Sequence, residues 1–186
     1  MNRHNDIVPE EQILLHSCCG PCSIAILAAF AERGQTVTSY FYNPNIQPFT
    51  EHRARKEAWL QLMEMTDTSY ILDDDYPLEM WLGKVADAPG ERCGFCYDIR
   101  LRAAAETAVA NGFRRFTSSL LISPYQKHEL IRLTGEKIAA EFGLEFYYED
   151  FRPLFREGQR MAREAGIYMQ KYCGCIYSEK ERYCRK

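Results

Sequence analysis

The sequence predicts a single α/β domain with a Rossmann-like parallel sheet of about five strands and helices on both faces. Short runs of branched and aromatic residues alternate with longer Ala- and Leu-rich runs, a pattern typical of βαβ units. The length of 186 residues suits one domain. No repeat or Pro/Gly/Ser linker divides the chain. We therefore predict one domain over 1–186, with a polar N-terminal extension at 1–12 and a C-terminal helical segment at 168–186.

The individual elements follow from local signals along the chain. Apolar or aromatic runs ended by turn residues predict strands, and Ala- or Leu-rich runs predict helices. Gly34 suits a helix C-cap, Thr50 an N-cap, and Pro77 the start of a short helix. The predicted strands are 13–17, 37–42, 69–72, 116–122 and 145–148, and the predicted helices are 23–33, 50–65, a short one from 77, 95–110 and 123–143, followed by two short helical stretches.

Eight cysteines are the unusual feature of the composition. Seven of them form three short clusters, CCGPC at 18–22, CGFC at 93–96 and CGC at 173–175, and Cys184 stands apart. The polar N-terminus lacks the apolar core of a secretory signal, and no apolar run is long enough to span a membrane, so we expect a cytoplasmic protein. In a reducing compartment, clustered cysteines indicate metal ligation or thiol redox chemistry rather than structural disulfides.

The position of CCGPC predicts where the cysteine-rich site lies. This segment follows the first predicted strand and precedes the first predicted helix. In parallel α/β folds ligands bind beyond the carboxyl ends of the strands. The positive end of a helix dipole there favours thiolate over thiol. We therefore expect the site at the C-terminal edge of the strands.

Each cluster leaves more than one chemistry open. Cys19 and Cys22 form a CxxC typical of thiol–disulfide exchange, but the adjacent Cys18 and the cysteines downstream exceed what that activity needs. CGFC is a metal-binding turn that zinc sites also use. A vicinal cysteine pair suits the separate corners of an iron–sulfur cluster better than a single ion, and structural zinc stays as an alternative. For CGC we favour a redox pair, with further metal ligands as the alternative.

Six sequence blocks resemble the QueH-type epoxyqueuosine reductases, the cobalamin-independent enzymes of tRNA queuosine synthesis. The resemblance runs from about Ile13 to Ser178. The blocks are LLHSCCGPCS at 14–23, YFYNPNIQP at 40–48, ERCGFCYDIRL at 91–101, SSLLISPYQ at 118–126, EDFRPLFREG at 149–158 and YMQKYCGCIYS at 168–178.

This resemblance implies a cofactor and a reaction. It implies that a 4Fe–4S cluster is held by Cys18, Cys19, Cys93 and Cys96. It also implies that Cys173 and Cys175 form a redox-active disulfide, and that a second iron lies near the cluster, with Cys22 or Asp150 as candidate ligands. The implied reaction removes the epoxide oxygen of epoxyqueuosine at the wobble position of tRNA, using an external electron donor. The alternatives are a zinc-stabilised RNA-binding module and a thiol–disulfide oxidoreductase.

Substrate contacts are predicted from aromatic and basic residues. The net charge is −3, but six acids and no base lie in 61–79, so the total charge does not exclude an RNA partner. A modified base that leaves the anticodon loop needs stacking partners. The candidates for contact with the substrate base are Tyr42, Tyr125 and Gln126, with Phe49, Tyr97 and Tyr172 as further stacking candidates. The candidates for phosphate contact are Arg53, Arg55, Lys56, Arg100, Arg102, Lys171 and the basic tail.

Overall fold

A five-stranded, all-parallel sheet lies at the centre of the computed structural model, which describes residues 11–184. The strand order is β3-β2-β1-β4-β5. The strands are β1 (Ile13–His16), β2 (Val37–Phe41), β3 (Tyr70–Leu72), β4 (Arg115–Ser118) and β5 (Glu145–Phe146). The predicted fold class is confirmed. The predicted extension at 1–12 lies outside the described residues except for its last two positions.

Seven α-helices and two 3₁₀ turns surround the sheet in the described part of the chain. Helix α1 packs against α2 and α6, whereas α4 packs against α5. Right-handed crossovers place these two groups on opposite faces. None of the described helices is long and apolar enough to cross a membrane. The helices are α1 (Gly20–Glu32), α2 (Phe49–Thr66), α3 (Leu78–Val85), α4 (Arg92–Ala110), α5 (His128–Phe142), α6 (Phe155–Glu164) and α7 (Ile176–Tyr183), with 3₁₀ turns at Ser119–Ile122 and Arg152–Leu154.

Several predicted boundaries were wrong at the functional edge of the sheet. The helix predicted over 95–110 begins at Arg92, the one predicted over 123–143 begins at His128, and the fifth strand ends at Phe146 rather than at 148. The fourth strand ends at Ser118 rather than at 122, because the Ser118 hydroxyl accepts the N–H of Leu120 and starts the 3₁₀ turn. The first helix begins at Gly20 rather than at 23, because Pro21 is tolerated in a first turn. Cys22 therefore lies inside α1, and Cys19 stands at its N-cap.

A buried core fixes the edge of the sheet at which the site lies. All four residues of β1 are buried. The side chain of Ser39 in β2 accepts a hydrogen bond from Trp59 Nε1 at 2.8 Å and shares one of 2.7 Å with Ser17 just beyond β1. These buried contacts hold the start of the CCGPC segment against the neighbouring strand.

Candidate functional site

The site forms where the strand order reverses. Strands β1 and β4 are neighbours, with His16 opposite Ser118, yet the chain leaves them toward different sides of the sheet. Such a switch point opens a crevice at the carboxyl ends of the strands. Across it, the Cys18 N–H donates to Ser119 Oγ at 2.9 Å, and the same hydroxyl lies 3.3 Å from Cys18 Sγ.

The first cysteine group is compact. The sulfurs of Cys18, Cys19 and Cys22 all lie within 4.8 Å of one another, and those of Cys18 and Cys19 are 3.7 Å apart. Hydrogen bonds from the other two thiols, with the charge of Arg100, hold the pKa of Cys18 well below its usual range. Burial raises the pKa of Cys19. Three soft sulfur donors at this spacing can hold a metal.

The second cysteine group stands at the start of α4 and is linked to the first by Arg100. Cys96 Sγ lies 3.6 Å from Nη1 of Arg100, one turn further along the helix. Burial raises the pKa of Cys96 to about 12. The Arg100 side chain is 2% exposed. It also donates to Asn43 Oδ1 at 2.7 Å and approaches His16 Nε2 at 3.4 Å.

Arg100 is a buried cation whose contacts within residues 11–184 include no carboxylate. Its charge acts instead on the sulfurs of Cys96 and Cys18. A buried charge needs an opposite charge close by. The arrangement therefore fits an anionic thiolate group, or a metal–thiolate centre, between α4 and the loop after β1.

The third cysteine group reaches the same region from the C-terminal segment. Cys173 Sγ accepts a hydrogen bond from Gln126 Nε2 at 3.1 Å, and Gln126 in turn accepts one from the Tyr97 hydroxyl at 2.7 Å. Cys175 is the N-cap of α7 and packs in a small buried cluster that includes Cys96. All eight cysteines are free thiols in the structure.

Arg55 holds the backbone of this segment. Its guanidinium donates to the carbonyls of Tyr172 and Cys173, each at 2.8 Å, and pairs with Glu51 at 2.7 Å. The other Glu51 oxygen accepts the Tyr168 hydroxyl at 2.6 Å. Arg55 is 1% exposed. The interpretation of Arg55 and Arg100 as phosphate contacts was therefore wrong, because both are buried beside cysteine-bearing segments. Their i,i+4 spacing from Glu51 and Cys96 was the sequence signal that could have revealed these roles.

A cavity of about 710 Å³ is shared by the first and third cysteine groups. The second group does not line it: Cys93 packs against the main core, and Cys96 is linked to the cavity through Arg100. Cys18, Cys22 and Cys173 line it together with Arg55 and Arg100. Tyr125 and Gln126, predicted to contact substrate, also line it. Ser119 and Gln170 belong to the lining too, and Gln170 Nε2 lies 3.5 Å from Cys22 Sγ. Neither was predicted: both lie within the blocks at 118–126 and 168–178, but their residue types do not by themselves indicate a role.

Several residues predicted to contact the substrate or a metal do not line the cavity. Phe49, a predicted stacking residue, packs instead against the Tyr76 ring with the centroids 5.4 Å apart. Tyr42 is not among the lining residues and stacks on Tyr40 with the ring centroids 6.5 Å apart. Asp150 forms an ion pair with Arg152 at 2.6 Å and lies 3.5 Å from His128. The hydrogen bond to Arg152 lowers the pKa of Asp150 to about 2.

Comparison with known proteins decides the family. Residues 13–181 match the family described as Epoxyqueuosine reductase QueH. The chain belongs to this family. A relative from Dehalococcoides mccartyi named epoxyqueuosine reductase QueH is 37% identical over 92% of this chain and 94% of its own length. A relative of the same name from Histophilus somni is 38% identical, over 91% of this chain and 73% of that protein. The resemblance seen in the six sequence blocks is confirmed.

Among solved structures, the similarity is remote. NMN synthetase from Francisella tularensis has a TM-score of 0.44 and 9% sequence identity, covering 88% of this chain and 90% of that one.

Proposed function

We propose that this protein is a cytoplasmic oxidoreductase that reduces the epoxide of epoxyqueuosine at the wobble position of tRNA to give queuosine. The relatives carry the name of this activity. The observation that carries the proposal is that three cysteine groups, the second and third about 75 and 155 positions from the first, lie in one region of the fold. The first and third groups line one cavity, and Cys96 of the second lies 3.6 Å from the buried Arg100, which also lines it. A cavity lined by thiols and buried cations suits reductive chemistry.

Cys18, Cys19, Cys93 and Cys96 are our proposed ligands of a 4Fe–4S cluster. Cysteine thiolates are the usual ligands of such clusters. The buried Arg100 guanidinium between the two pairs supports the assignment, because an anionic cluster supplies the counter-charge that it otherwise lacks. When bound, the cluster supplies single-electron transfer.

Cys22 is our preferred ligand for a second iron. It belongs to the compact sulfur group and lines the cavity. The other candidate, Asp150, is held by Arg152 and does not line the cavity. The proposal for a second iron therefore rests on Cys22.

Cys173 and Cys175 are our proposed two-electron reductant. Oxidation of the dithiol to a disulfide releases two electrons and two protons. These balance the loss of the epoxide oxygen as water and the formation of the carbon–carbon double bond. An external electron donor then restores the dithiol. Gln126 donates to Cys173 Sγ at 3.1 Å, which stabilises the sulfur as it acquires thiolate character.

A zinc-stabilised RNA-binding module is the second candidate. The spacing of Cys18, Cys19 and Cys22, within 4.8 Å, is the observation that favours it, because a single ion could accept all three sulfurs. In such a protein the CGC segment would have no redox role. The third candidate, a thiol–disulfide oxidoreductase, would act through Cys19 and Cys22 alone.

The test is metal analysis and electron paramagnetic resonance on protein purified without air, followed by conversion of epoxyqueuosine-containing tRNA. We expect iron and inorganic sulfide, with turnover when reductant is added. Cys93→Ala should lose iron and activity together, whereas Cys175→Ala should keep the iron and lose turnover. Cys184→Ala is the matched control, since Cys184 is exposed and lies outside the cavity lining. Zinc-only protein without turnover would contradict the proposal.

A further inference from the structure

The charged side chains that line the cavity are all cationic among the described residues. Besides the buried Arg55 and Arg100, four exposed cations line the cavity, whereas no described Asp or Glu lines it. The chain as a whole is acidic, with a net charge of −3. The cations are thus concentrated at one opening. The four exposed ones are Arg156, Arg163, Lys171 and Arg182.

Helix α6 carries one arginine that is ion-paired with glutamates and two arginines that are not, among the described residues. Gly158 packs on α1, where an added Cβ would lie 3.2 Å from the Pro21 carbonyl oxygen. Arg160 is neutralised by two glutamates of its own helix. Arg156 and Arg163, two turns apart, line the cavity instead. Neither forms an ion pair with a carboxylate of residues 11–184, so both remain available to an anionic ligand.

The C-terminal segment contributes the second pair of cations. Lys171 precedes Tyr172, whose carbonyl Arg55 holds at 2.8 Å. Arg182 is exposed on α7 and also lines the cavity. In the described chain, neither cation is paired with a carboxylate. Two separate elements therefore present free positive charge to one opening, as binding to a phosphate backbone requires.

An exposed aromatic ring lies at the same opening. The side chain of Tyr125 is 84% exposed and lines the cavity. Its ring stands nearly perpendicular to the Phe155 ring, with centroids 5.9 Å apart at 82°. This is the one ring contact of Tyr125 among the described residues, and most of the Tyr125 ring is open to solvent. Open aromatic faces beside cations are the usual platform for unpaired bases.

We propose that these residues form the RNA-binding rim of the cavity. Arg156 and Arg163 contact phosphates on one side of the extruded nucleotide, and Lys171 and Arg182 contact phosphates on the other. Tyr125 stacks on an unpaired base next to the extruded one. This assignment rests on the proposed function, because it takes the substrate to be a tRNA anticodon loop.

The first test measures binding of a fluorescent anticodon stem–loop RNA, lacking the modified base, to metal-loaded protein over a range of salt concentrations. Each phosphate contact contributes about 0.7 to 0.9 to the slope of log affinity against log salt. Arg156→Gln with Arg163→Gln should reduce that slope by about 1.5, and so should Lys171→Gln with Arg182→Gln. Arg160→Gln removes the same charge from the same helix as Arg163→Gln and should leave the slope unchanged. Equal slopes for Arg163→Gln and Arg160→Gln would overturn the proposal.

The second test concerns stacking. Tyr125→Ala should weaken RNA affinity on the order of tenfold, and Tyr125→Phe should retain most of it, because stacking needs the ring and not the hydroxyl. The salt slope should stay unchanged in both. Phe49→Ala is the matched control, since Phe49 is 53% exposed, meets the Tyr76 ring at 5.4 Å and does not line the cavity. Equal losses for Tyr125→Ala and Phe49→Ala would refute the stacking role.

These tests separate the rim from the proposed reaction. Salt-dependent RNA binding that the rim substitutions weaken, in a protein without epoxide reduction, would support the rim and overturn the reaction. Turnover of epoxyqueuosine-tRNA with an unchanged KM in both double variants would support the reaction and overturn the rim. Equal weakening of heparin and RNA binding by Tyr125→Ala would also overturn the stacking role, because heparin has no bases.

Discussion

The loop after β1 and the CGC segment reach one cavity by different means. The first cysteine group continues a fully buried central strand and stands on the first turn of α1. CGC belongs to no strand, and buried polar groups of α2 and of the loop before it hold its backbone. Arg55 donates to the Cys173 carbonyl, and the Gln47 N–H donates to the Gly174 carbonyl at 2.9 Å. The first cysteine group is thus part of the sheet architecture, whereas the CGC segment is docked by hydrogen bonds from residues distant in sequence.

The largest effect is expected where the docking of CGC depends on a buried charge. Arg55→Ala removes the hydrogen bonds to two carbonyls and leaves Glu51 buried without its cation. Loss of one partner of a buried ion pair costs about 3 to 5 kcal/mol in the free energy of unfolding. Denaturant unfolding of the wild-type protein and of Arg55→Ala, at equal metal content, measures this loss of free energy.

Arg33→Ala is the control for this experiment, because its partner Glu149 is also a carboxylate but the pair is solvent-exposed. An exposed pair contributes about 0 to 1 kcal/mol. A loss no larger in Arg55→Ala than in Arg33→Ala would show that Arg55 does not hold the segment.

An intermediate effect is expected at Gly174. Its φ of +141° lies in a region that other residues rarely adopt, and an added Cβ would lie 3.1 Å from both Asn45 Nδ2 and Ile46 Cγ1. Gly174→Ala should destabilise the segment by about 1 to 3 kcal/mol and speed alkylation of Cys175, which is buried, with little change at Cys19. Mass spectrometry after brief alkylation measures both.

Gly83→Ala gives the matched comparison for Gly174→Ala. Gly83 lies within α3 with nothing within 4 Å of an added Cβ. At this position the substitution should raise the free energy of unfolding by about 0.5 to 1 kcal/mol, because alanine is more favourable than glycine within a helix. Similar alkylation of Cys175 in both glycine variants would mean that the backbone at Gly174 does not control the CGC segment.

The smallest stability losses are expected for alanine substitutions of two serines, one beside the first cysteine group and one beside the CGC segment. Ser119→Ala removes the acceptor of the Cys18 N–H and should lower stability by about 1 kcal/mol. Ser178→Ala removes hydrogen bonds to the Cys175 carbonyl and the Gly174 N–H at a half-buried site. We expect Ser178→Ala to increase Cys175 alkylation with a smaller loss of global stability. The reverse ranking of the two stability losses would contradict the division between sheet-held and docked cysteines.

Local sequence signals predicted the layers of the fold but not the end of β4. Strand and helix alternation led to the five parallel strands, since hydrophobic period and turn residues are local properties. The 3₁₀ turn after Ser118 depends on a side-chain bond to the N–H of Leu120, which competes with strand extension in a way that residue preferences do not reveal. The predicted fourth strand was too long for that reason.

The order of the cysteine blocks predicted much of the candidate site, but it did not predict the buried arginines that contact the cysteine segments. The sequence by itself determined the parallel α/β class, the three cysteine groups and the family, because these depend on residue type and spacing. Only the tertiary structure decided that Arg100 reaches His16 across 84 positions and that Arg55 reaches Cys173 across 118. The physical reason is that a cation is buried only where distant segments together supply its partners, and no local pattern records which segments will meet.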